Sequence, residues 1–251
     1  MEVIDITIVA PAFFAGLLIL ITHVPLGQEV VKRGIIFIDL AIAQIAGAGV
    51  IFASWLGLDA HGFEVQLVAI GSALIGAWGL SLLEKSMLHI QEAVIGVVFV
   101  LAATASILLL SDNPHGGQHL KDLLVGQILW ITWPQLLPVA VVTVIITVLW
   151  SMLSVVRQRF FYYLFAIAIT CSVQLVGVYL VFASLIIPAL ACRGLAMDKS
   201  LKLAYIIGAL GYALGLLLSS ILDLPSGAVI VWVMACVALL MRGLVNNRKK
   251  V

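Results

Sequence analysis

The chain has 251 residues, of which 64% are hydrophobic and only 10% are charged, and its mean hydropathy is +1.25. Because a soluble domain is roughly 45–50% apolar, this composition excludes an ordinary soluble protein and indicates one that lies in a membrane. The net charge of +1 offers no strongly basic surface, so we expect no nucleic-acid partner.

Apolar stretches long enough to cross a bilayer recur along the whole chain. A helix needs roughly 20 mostly apolar residues to span the hydrocarbon layer, whereas a barrel would show alternating segments of ~10 residues. We therefore expect an all-α polytopic membrane protein with about eight transmembrane helices and short re-entrant or half helices. Since no linker divides the chain, residues 1–251 should form a single transmembrane domain. The predicted spans are residues 6–23, 35–57, 65–83, 93–110, 134–153, 160–182, 203–222 and 227–244.

Basic residues are unevenly divided between the loops on the two sides of these spans. One alternate set of loops holds 12 of the 13 Lys and Arg residues, and the other set holds Lys121 alone. Lys and Arg near span ends stay on the cytoplasmic side. The pattern therefore predicts a multi-pass protein of the cell (inner) membrane with its N terminus outside and its C terminus in the cytoplasm. The basic tail "RGLVNNRKK" is typical of an anchor at anionic membrane lipid.

Asp39 is the first residue along the chain that could carry chemistry. It follows Arg33 by six residues, about 9 Å along a helix axis, and so lies within the membrane region. A carboxylate there indicates an ion path, and a pair with Lys32 or Arg33 is the structural alternative. Gln44 and Gln174 lie deeper in their spans, where interhelical hydrogen bonds are the alternative to contact with a transported ion.

An outward loop, "SDNPHGGQHLKDLLVGQILWITWPQ" (111–135), leads into a segment that is too short to cross. We expect an interfacial or re-entrant half helix here, with Trp130 and Trp133 at headgroup depth. His115 and His119 could bind zinc, manganese or iron where an imported ion would arrive. Histidines in a solvated loop are the alternative, because no complete set of ligands at zinc-site spacing occurs.

The apolar run "VYLVFASLIIPALACR" contains Pro188 near its end. Arg159 and Arg193 belong to the same set of loops, so the chain between them must go out and return, with one full span and one short segment. Pro188 frees the carbonyl of Ser184 from its helical hydrogen bond. Irregular backbone at membrane depth must be buried in protein or line a watery cavity. We therefore expect the return to be a broken segment in the wall of a pathway, with a simple proline kink as the alternative.

Catalytic motifs do not occur in the sequence. There is no H-E-x-x-H, no G-x-S-x-G and no G-x-x-x-x-G-K-[ST] pattern. The chain therefore encodes no recognisable metalloprotease, serine hydrolase or ATPase, and we expect a protein that is not an enzyme.

Six blocks follow the order seen in the permease subunits of zinc/manganese (metal-ion) ABC importers. The chain resembles that family over most of its length, and with it the type II ABC importer permeases. The most specific match is "LVGVYLVFASLIIPALACR", which looks like the pathway-lining segment of the family. The blocks are "PLG" (25–27), "FIDLAIAQIAGAGV" (37–50), "EAVIGVVFV" (92–100), "LLVGQILWITWPQL" (123–136), "VQLVGVYLVFASLIIPALACR" (173–193) and "DLPSGAVIV" (223–231).

The resemblance implies a permease subunit that imports a divalent metal ion and holds no permanent cofactor. It also implies a homodimer that works with a cytoplasmic ATP-binding subunit and an extracytoplasmic metal-binding protein. The candidate pathway residues are Asp39, Gln44, Gln174, Ser184 and Pro188, and the candidate metal ligands are Asp39, His115 and His119. The loops expected to face the ATPase contain Arg157, Arg159, Arg193, Lys199 and Lys202.

Two segments depart from the family pattern. Where the second span of the family has histidine, this chain has Gln44, or Ala43 if no gap is allowed. The cytoplasmic stretch that docks on the ATPase in the family is reduced to "SVVRQR" (154–159), so the docking element is expected to be moved to residues 193–202 or to be missing. An ATPase-independent ion carrier or channel related to the family is therefore the rival interpretation. A structural or regulatory membrane protein is a third, and it predicts no ion flux.

Overall fold

The computed structural model describes residues 6–58, 62–86, 89–111, 113–114, 116–152 and 159–248, and this part of the chain is helical, as predicted. A 3₁₀ turn, Ile128–Trp130, follows the fifth α-helix. The helices are α1 Ile6–Arg33, α2 Ile38–Trp55, α3 Phe63–Ser86, α4 Gln91–Leu109, α5 Gly116–Val125, α6 Trp133–Met152, α7 Phe161–Val176, α8 Val178–Ala191, α9 Met197–Leu222 and α10 Ser226–Arg248.

Seven of these helices are long and apolar enough to cross a membrane, namely α1, α2, α3, α4, α6, α9 and α10. The first is longer than its predicted span, because Pro25 lies inside α1 and does not end it. Proline removes the amide that would bind the carbonyl four residues earlier, which is that of Ile21. The hydroxyl of Tyr205 donates to this carbonyl at 3.2 Å, so a neighbouring helix satisfies the group that Pro25 leaves free.

Within residues 111–135, α5 forms the predicted half helix. The ten residues of α5 are too few to cross a bilayer, and the 3₁₀ turn connects them to α6. Trp130 and Trp133 stand at the two sides of this connection with 80% and 54% of their surfaces exposed. Such exposure agrees with indole rings that lie at a membrane interface.

The predicted span over residues 160–182 is wrong, because the chain breaks at Gly177. This residue has φ 81° and ψ 164°, a backbone conformation that residues with a Cβ rarely adopt, and it ends α7 and begins α8. Pro188 lies inside α8 and does not end that helix. The broken segment therefore exists, but a glycine rather than the proline breaks it, and both halves are short helices.

The α7–α8 pair starts and finishes at the same end of the bundle. The Arg33 guanidinium carbon lies 4.3 Å from the ring centroid of Phe161, at the start of α7. Arg242 donates to the carbonyl of Ala191, at the end of α8 (3.0 Å). Gln28 of α1 donates to Ser200 of α9 at 2.7 Å, which connects the two regions. We call this end, which carries Arg33, Arg193 and Arg242, the basic end.

Small residues permit close approach between α9 and α10. A Cβ added to Gly211 or Gly215 of α9 would lie 2.8 Å from Met234 Cβ or 2.6 Å from Ile230 Cα, both on α10. The "GALGYALG" stretch is therefore the face on which α9 and α10 pack, as expected for small residues at a helix interface.

Candidate functional site

A groove of about 600 Å³ runs along one side of the bundle between α2, α4, α5, α8 and α10. The side chains of its wall are apolar apart from the Gln44 amide, the Tyr179 hydroxyl and the indole N–H of Trp232. Tyr179 and Trp232 are 54% and 75% exposed, so the groove is open on that side. The residues that line it include Leu40, Gln44, Phe99, Tyr179, Phe182 and Trp232. Gln44 is thus the candidate pathway residue that the structure places on this wall.

Two breaks in helical backbone meet beside the groove. Gly126 follows α5 and has φ 71°, and Gly177, with φ 81°, forms the tip between α7 and α8. A Cβ on either glycine would overlap the backbone of the other segment. Val178, directly after Gly177, lines the groove together with Leu124. The half helix α5 and the tip of the α7–α8 hairpin are therefore in direct backbone contact beside the groove.

Asp39 lies in the first turn of α2 and is 1% exposed. Neither of its carboxylate oxygens has a hydrogen-bond partner in the described part of the chain. Glu92, at the start of α4, lies beside the N-terminal end of α2. One Glu92 oxygen accepts a hydrogen bond from the Phe37 amide at 3.1 Å, and the other is buried without a described partner.

The basic residues near Asp39 do not neutralise it. Arg33 binds Glu29 and Glu84, each at 3.0 Å, and its guanidinium lies over Phe161. The structural alternative for Asp39, a pair with Lys32 or Arg33, is therefore wrong. Asp39 remains a buried carboxylate in a membrane protein, where such groups are costly and mark ion paths or proton relays.

The other candidate pathway residues lie apart from Asp39. Ser184 donates to the Leu180 carbonyl at 2.7 Å and shares a hydrogen bond of 2.8 Å with the Tyr212 hydroxyl, so it joins α8 to α9. Gln174 is exposed, and Pro188 is buried within α8. Asp39 and Gln44 are on different sides of α2, because five residues correspond to about 140° of helical rotation.

The candidate metal and docking residues are spread over both ends of the molecule. His119 is exposed on α5, and no three His, Cys, Asp or Glu side chains come together among the residues that the structure describes. Arg159, Arg193, Lys199 and Lys202 are exposed at or near the basic end. His115 and Arg157 lie outside the described residues.

Sequence reasoning missed two residues that the structure brings forward. Glu92 stands at the start of an apolar run, in the first turn of α4. A carboxylate in that position is already accounted for by its favourable interaction with the helix dipole, so nothing in the sequence singled it out. His23 is fully buried, and its Nδ1 donates to the Ile19 carbonyl at 3.0 Å. Its Nε2 has no partner among the described residues. A single histidine within an apolar span was the available signal in the sequence, but it did not indicate which group the imidazole would contact.

Comparison with known proteins agrees with this architecture. Residues 5–159 and 152–243 match the ABC 3 transport family in two segments. A "probable metal transport system membrane protein" of Chlamydia trachomatis is 25% identical over 234 residues, which cover 82% of this chain and 78% of the relative. The chelated iron transport system membrane protein YfeD of Yersinia pestis is 27% identical over 78% of this chain and 71% of its own.

A solved structure shares the fold. PsaBC from Streptococcus pneumoniae, determined in complex with Fab, superposes with a TM-score of 0.71 at 20% identity, over 92% of this chain and 90% of the other. The two segments of the family match overlap at residues 152–159. Since together they extend from residue 5 to residue 243, the chain belongs to the ABC 3 transport family.

Proposed function

We propose that this chain is the membrane-spanning permease subunit of an ABC importer for a divalent metal ion such as zinc, manganese or iron. The observation that carries the proposal is the match of nearly the whole chain to a transport family. Curated relatives in that family are named for metal transport and for chelated iron transport. The buried and unpaired Asp39 supports an ionic cargo, because such a carboxylate needs a cation or a proton.

The partners follow from what the chain lacks and from its open groove. Its sequence has no phosphate-binding G-x-x-x-x-G-K-[ST] loop, so ATP hydrolysis must come from a separate cytoplasmic subunit. A metal-binding protein outside the cell membrane would deliver the ion to the end that carries α5. The exposed Tyr179 and Trp232 on an apolar wall favour a second copy of the chain that closes the groove into a pathway, with lipid around the pair.

The basic end supplies the surface for the ATPase in this proposal. Arg242 donates to the carbonyls of both Ala191 and Arg193, and Ser200 donates to that of Cys192. Motion imposed on the turn between α8 and α9 would therefore reach α8 and α10 together. Residues 193–202 are accordingly our candidate for the docking element, with the N terminus outside and the C terminus in the cytoplasm.

A related carrier or channel that works without an ATPase is the second candidate. The observation that favours it is the short connection between α6 and α7, where the family match divides. This candidate shares the ion pathway with the first and differs in the source of energy.

Affinity purification from native cells, followed by mass spectrometry, separates these functions. We expect an ATP-binding subunit to copurify and to be lost when Lys199→Glu and Lys202→Glu reverse the charge of the α8–α9 region. The matched control is Lys121→Glu, which reverses the same charge at the opposite end. If no ATPase copurifies while vesicles that contain the chain alone still take up metal ions, the carrier is correct. No flux with or without an ATPase contradicts both.

A further inference from the structure

Two stacked aromatic rings join α2 and α8 at the edge of the groove. The ring of Phe37, directly before α2, lies on that of Phe182 in α8, with 6.4 Å between the centroids and 9° between the planes. Phe182 is part of the groove wall. Leu40, one turn after Phe37, is the wall residue nearest to the start of α2. Since only residues 34–37 separate α2 from Arg33, the stack lies where the groove approaches the basic end.

The start of α2 is capped by a residue of another helix. In a capping box, a glutamate at the third helical position accepts a hydrogen bond from the amide of the N-cap residue. The N-cap of α2 is Phe37, and the third helical residue is Leu40, which offers no oxygen. The Phe37 amide donates instead to a carboxylate oxygen of Glu92, in the first turn of α4, at 3.1 Å. Glu92 thus fixes the backbone that carries the Phe37 ring.

The connection between α1 and α2 contains a hinge. Gly34 has φ 72°, and a Cβ added to it would meet no described atom within 4 Å, so the backbone has space to change conformation. Arg33, directly before it, is fixed by its contacts with α3 and α7. The segment between the two helices is therefore anchored by Arg33 at one end and by Glu92 at the other. Loss of the Glu92 contact would release the Phe37 ring and leave α1 in place.

We propose that the stacked rings of Phe37 and Phe182 form a gate that closes the pathway toward the basic end, and that the hydrogen bond to Glu92 holds this gate shut. An apolar constriction stops ions because it excludes water. The described residues of the groove wall include no charged side chain, so separation of the rings decides whether an ion passes. The gate opens when α4 moves away from the start of α2 and the segment turns at Gly34. The inference rests on the proposed function for the existence of an ion pathway, and it adds the residues that close it.

Thiol labelling of a cysteine behind the stack tests the gate. The parent protein carries Leu40→Cys after the three native cysteines have been replaced. Inside-out membrane vesicles present the predicted cytoplasmic face to a thiol reagent that cannot cross membranes. Each labelling rate is compared with that of Lys199→Cys, which is exposed at the basic end and reports access of the reagent.

We expect the parent to be labelled slowly, because the stack shields position 40 from the basic end. Phe37→Ala and Phe182→Ala should each increase the rate by about tenfold, a change consistent with the loss of one aromatic pair. Phe37→Tyr keeps an aromatic ring in the stack and should be labelled at the parent rate. The matched control is Phe160→Ala, which removes a ring of similar exposure at the same end (45%, against 47% for Phe37) and should not change the rate.

Two substitutions of Glu92 separate its hydrogen bond from its charge. Glu92→Gln retains an oxygen that can accept from the Phe37 amide, so the labelling rate should stay within about twofold of that of the parent. Glu92→Ala removes the acceptor and should increase the rate as much as Phe37→Ala does. Equal rates in the two Glu92 variants overturn the role assigned to the hydrogen bond.

Three other results overturn the gate itself. One is a parent rate as fast as that of Phe37→Ala, because the pathway would then be open at the stack. Another is an unchanged rate in both Phe37→Ala and Phe182→Ala. The third is an equal increase in Phe160→Ala, because labelling would then report a general loosening of the basic end.

Labelling requires no ATPase, so the gate and the importer can fail separately. If the stack variants are labelled faster but no ATPase copurifies, the importer fails and the gate stands. If an ATPase copurifies and drives uptake while the stack variants are labelled at the parent rate, the importer stands and the gate fails.

Discussion

Arg33 shows how one residue holds the basic end together. It binds Glu29 on its own helix, Glu84 on α3 and the ring of Phe161 on α7. The side chains of Arg33 and Glu29 are each 17% exposed, whereas that of Glu84 is 36% exposed. The contacts are therefore partly screened by solvent, but removal of the arginine would leave two acidic groups without their counter-charge.

We expect Arg33→Gln to destabilise the protein by about 2–3 kcal/mol, less than the loss for a fully buried pair. Lys32→Gln, which removes the same charge one residue earlier, should change stability by less than about 0.5 kcal/mol. Denaturation in detergent measures both. Equal effects of the two substitutions would show that Arg33 acts through overall charge rather than through its contacts.

Asp39 could be identified as a candidate functional residue from the sequence, but the groups that surround it could not be predicted. The pattern predicts this carboxylate within the membrane region, and the structure buries it in the protein with 1% of its surface exposed. The pattern could not show that Arg33 is occupied elsewhere or that Glu92 is close, because Phe37 and Glu92 are 55 residues apart in the sequence. Contacts of that kind depend on how α2 and α4 pack, and a single sequence does not contain that information.

At the scale of elements, the contact between α5 and the α7–α8 hairpin is the most constrained feature. Gly126 and Gly177, both with positive φ, contact each other through their backbones. Gly227, at the start of α10, lies against the same place, because a Cβ there would be 2.7 Å from the Val125 carbonyl oxygen. Three elements therefore meet at a point where no side chain fits.

Gly177→Ala should destabilise the protein by more than about 2 kcal/mol, because the methyl group adds overlap to a strained φ. Gly96→Ala is the control. Gly96 lies inside α4 with no neighbour within 4 Å of an added Cβ, so alanine there should stabilise by up to about 1 kcal/mol. Unfolding temperatures of the two purified variants provide the measurement. If Gly177→Ala left the unfolding temperature unchanged, the tip of the α7–α8 hairpin would have to rearrange to accept the methyl group.

The α7–α8 pair shows where the length of an apolar run fails to predict the helices. Runs of roughly 20 apolar residues locate the long helices well, because hydrocarbon thickness sets their length. The run through residues 160–182 is also long enough to cross, and one glycine within it divides it. Glycine is common in transmembrane helices, so Gly177 could be identified as a break only from its backbone conformation.

For the whole molecule, the helices that can cross a membrane determine where the termini lie. Seven crossings by the long apolar helices of the described residues would place the two ends of the chain on opposite sides, provided that α5 and the α7–α8 pair do not cross. The charge distribution predicts the same arrangement independently, with the basic end in the cytoplasm.

Labelling of single cysteines in intact cells tests this orientation, after the three native cysteines have been replaced. A thiol reagent that cannot cross membranes should label Asp223→Cys, between α9 and α10, and should label Lys199→Cys only after the cells are opened. Both positions are exposed, so access depends on the side of the membrane. The reverse pattern would contradict the predicted topology.

The hairpin of α7 and α8 has a further effect on how copies of the chain can be joined. Because it returns to the end of the bundle from which it started, it adds no net crossing to the seven helices of the described residues that are long enough to span a membrane. A soluble linker from the C terminus of one copy to the N terminus of the next would therefore insert the second copy upside down. A fused tandem of two copies needs an additional membrane helix in the linker, whereas two separate chains can associate side by side in the same orientation.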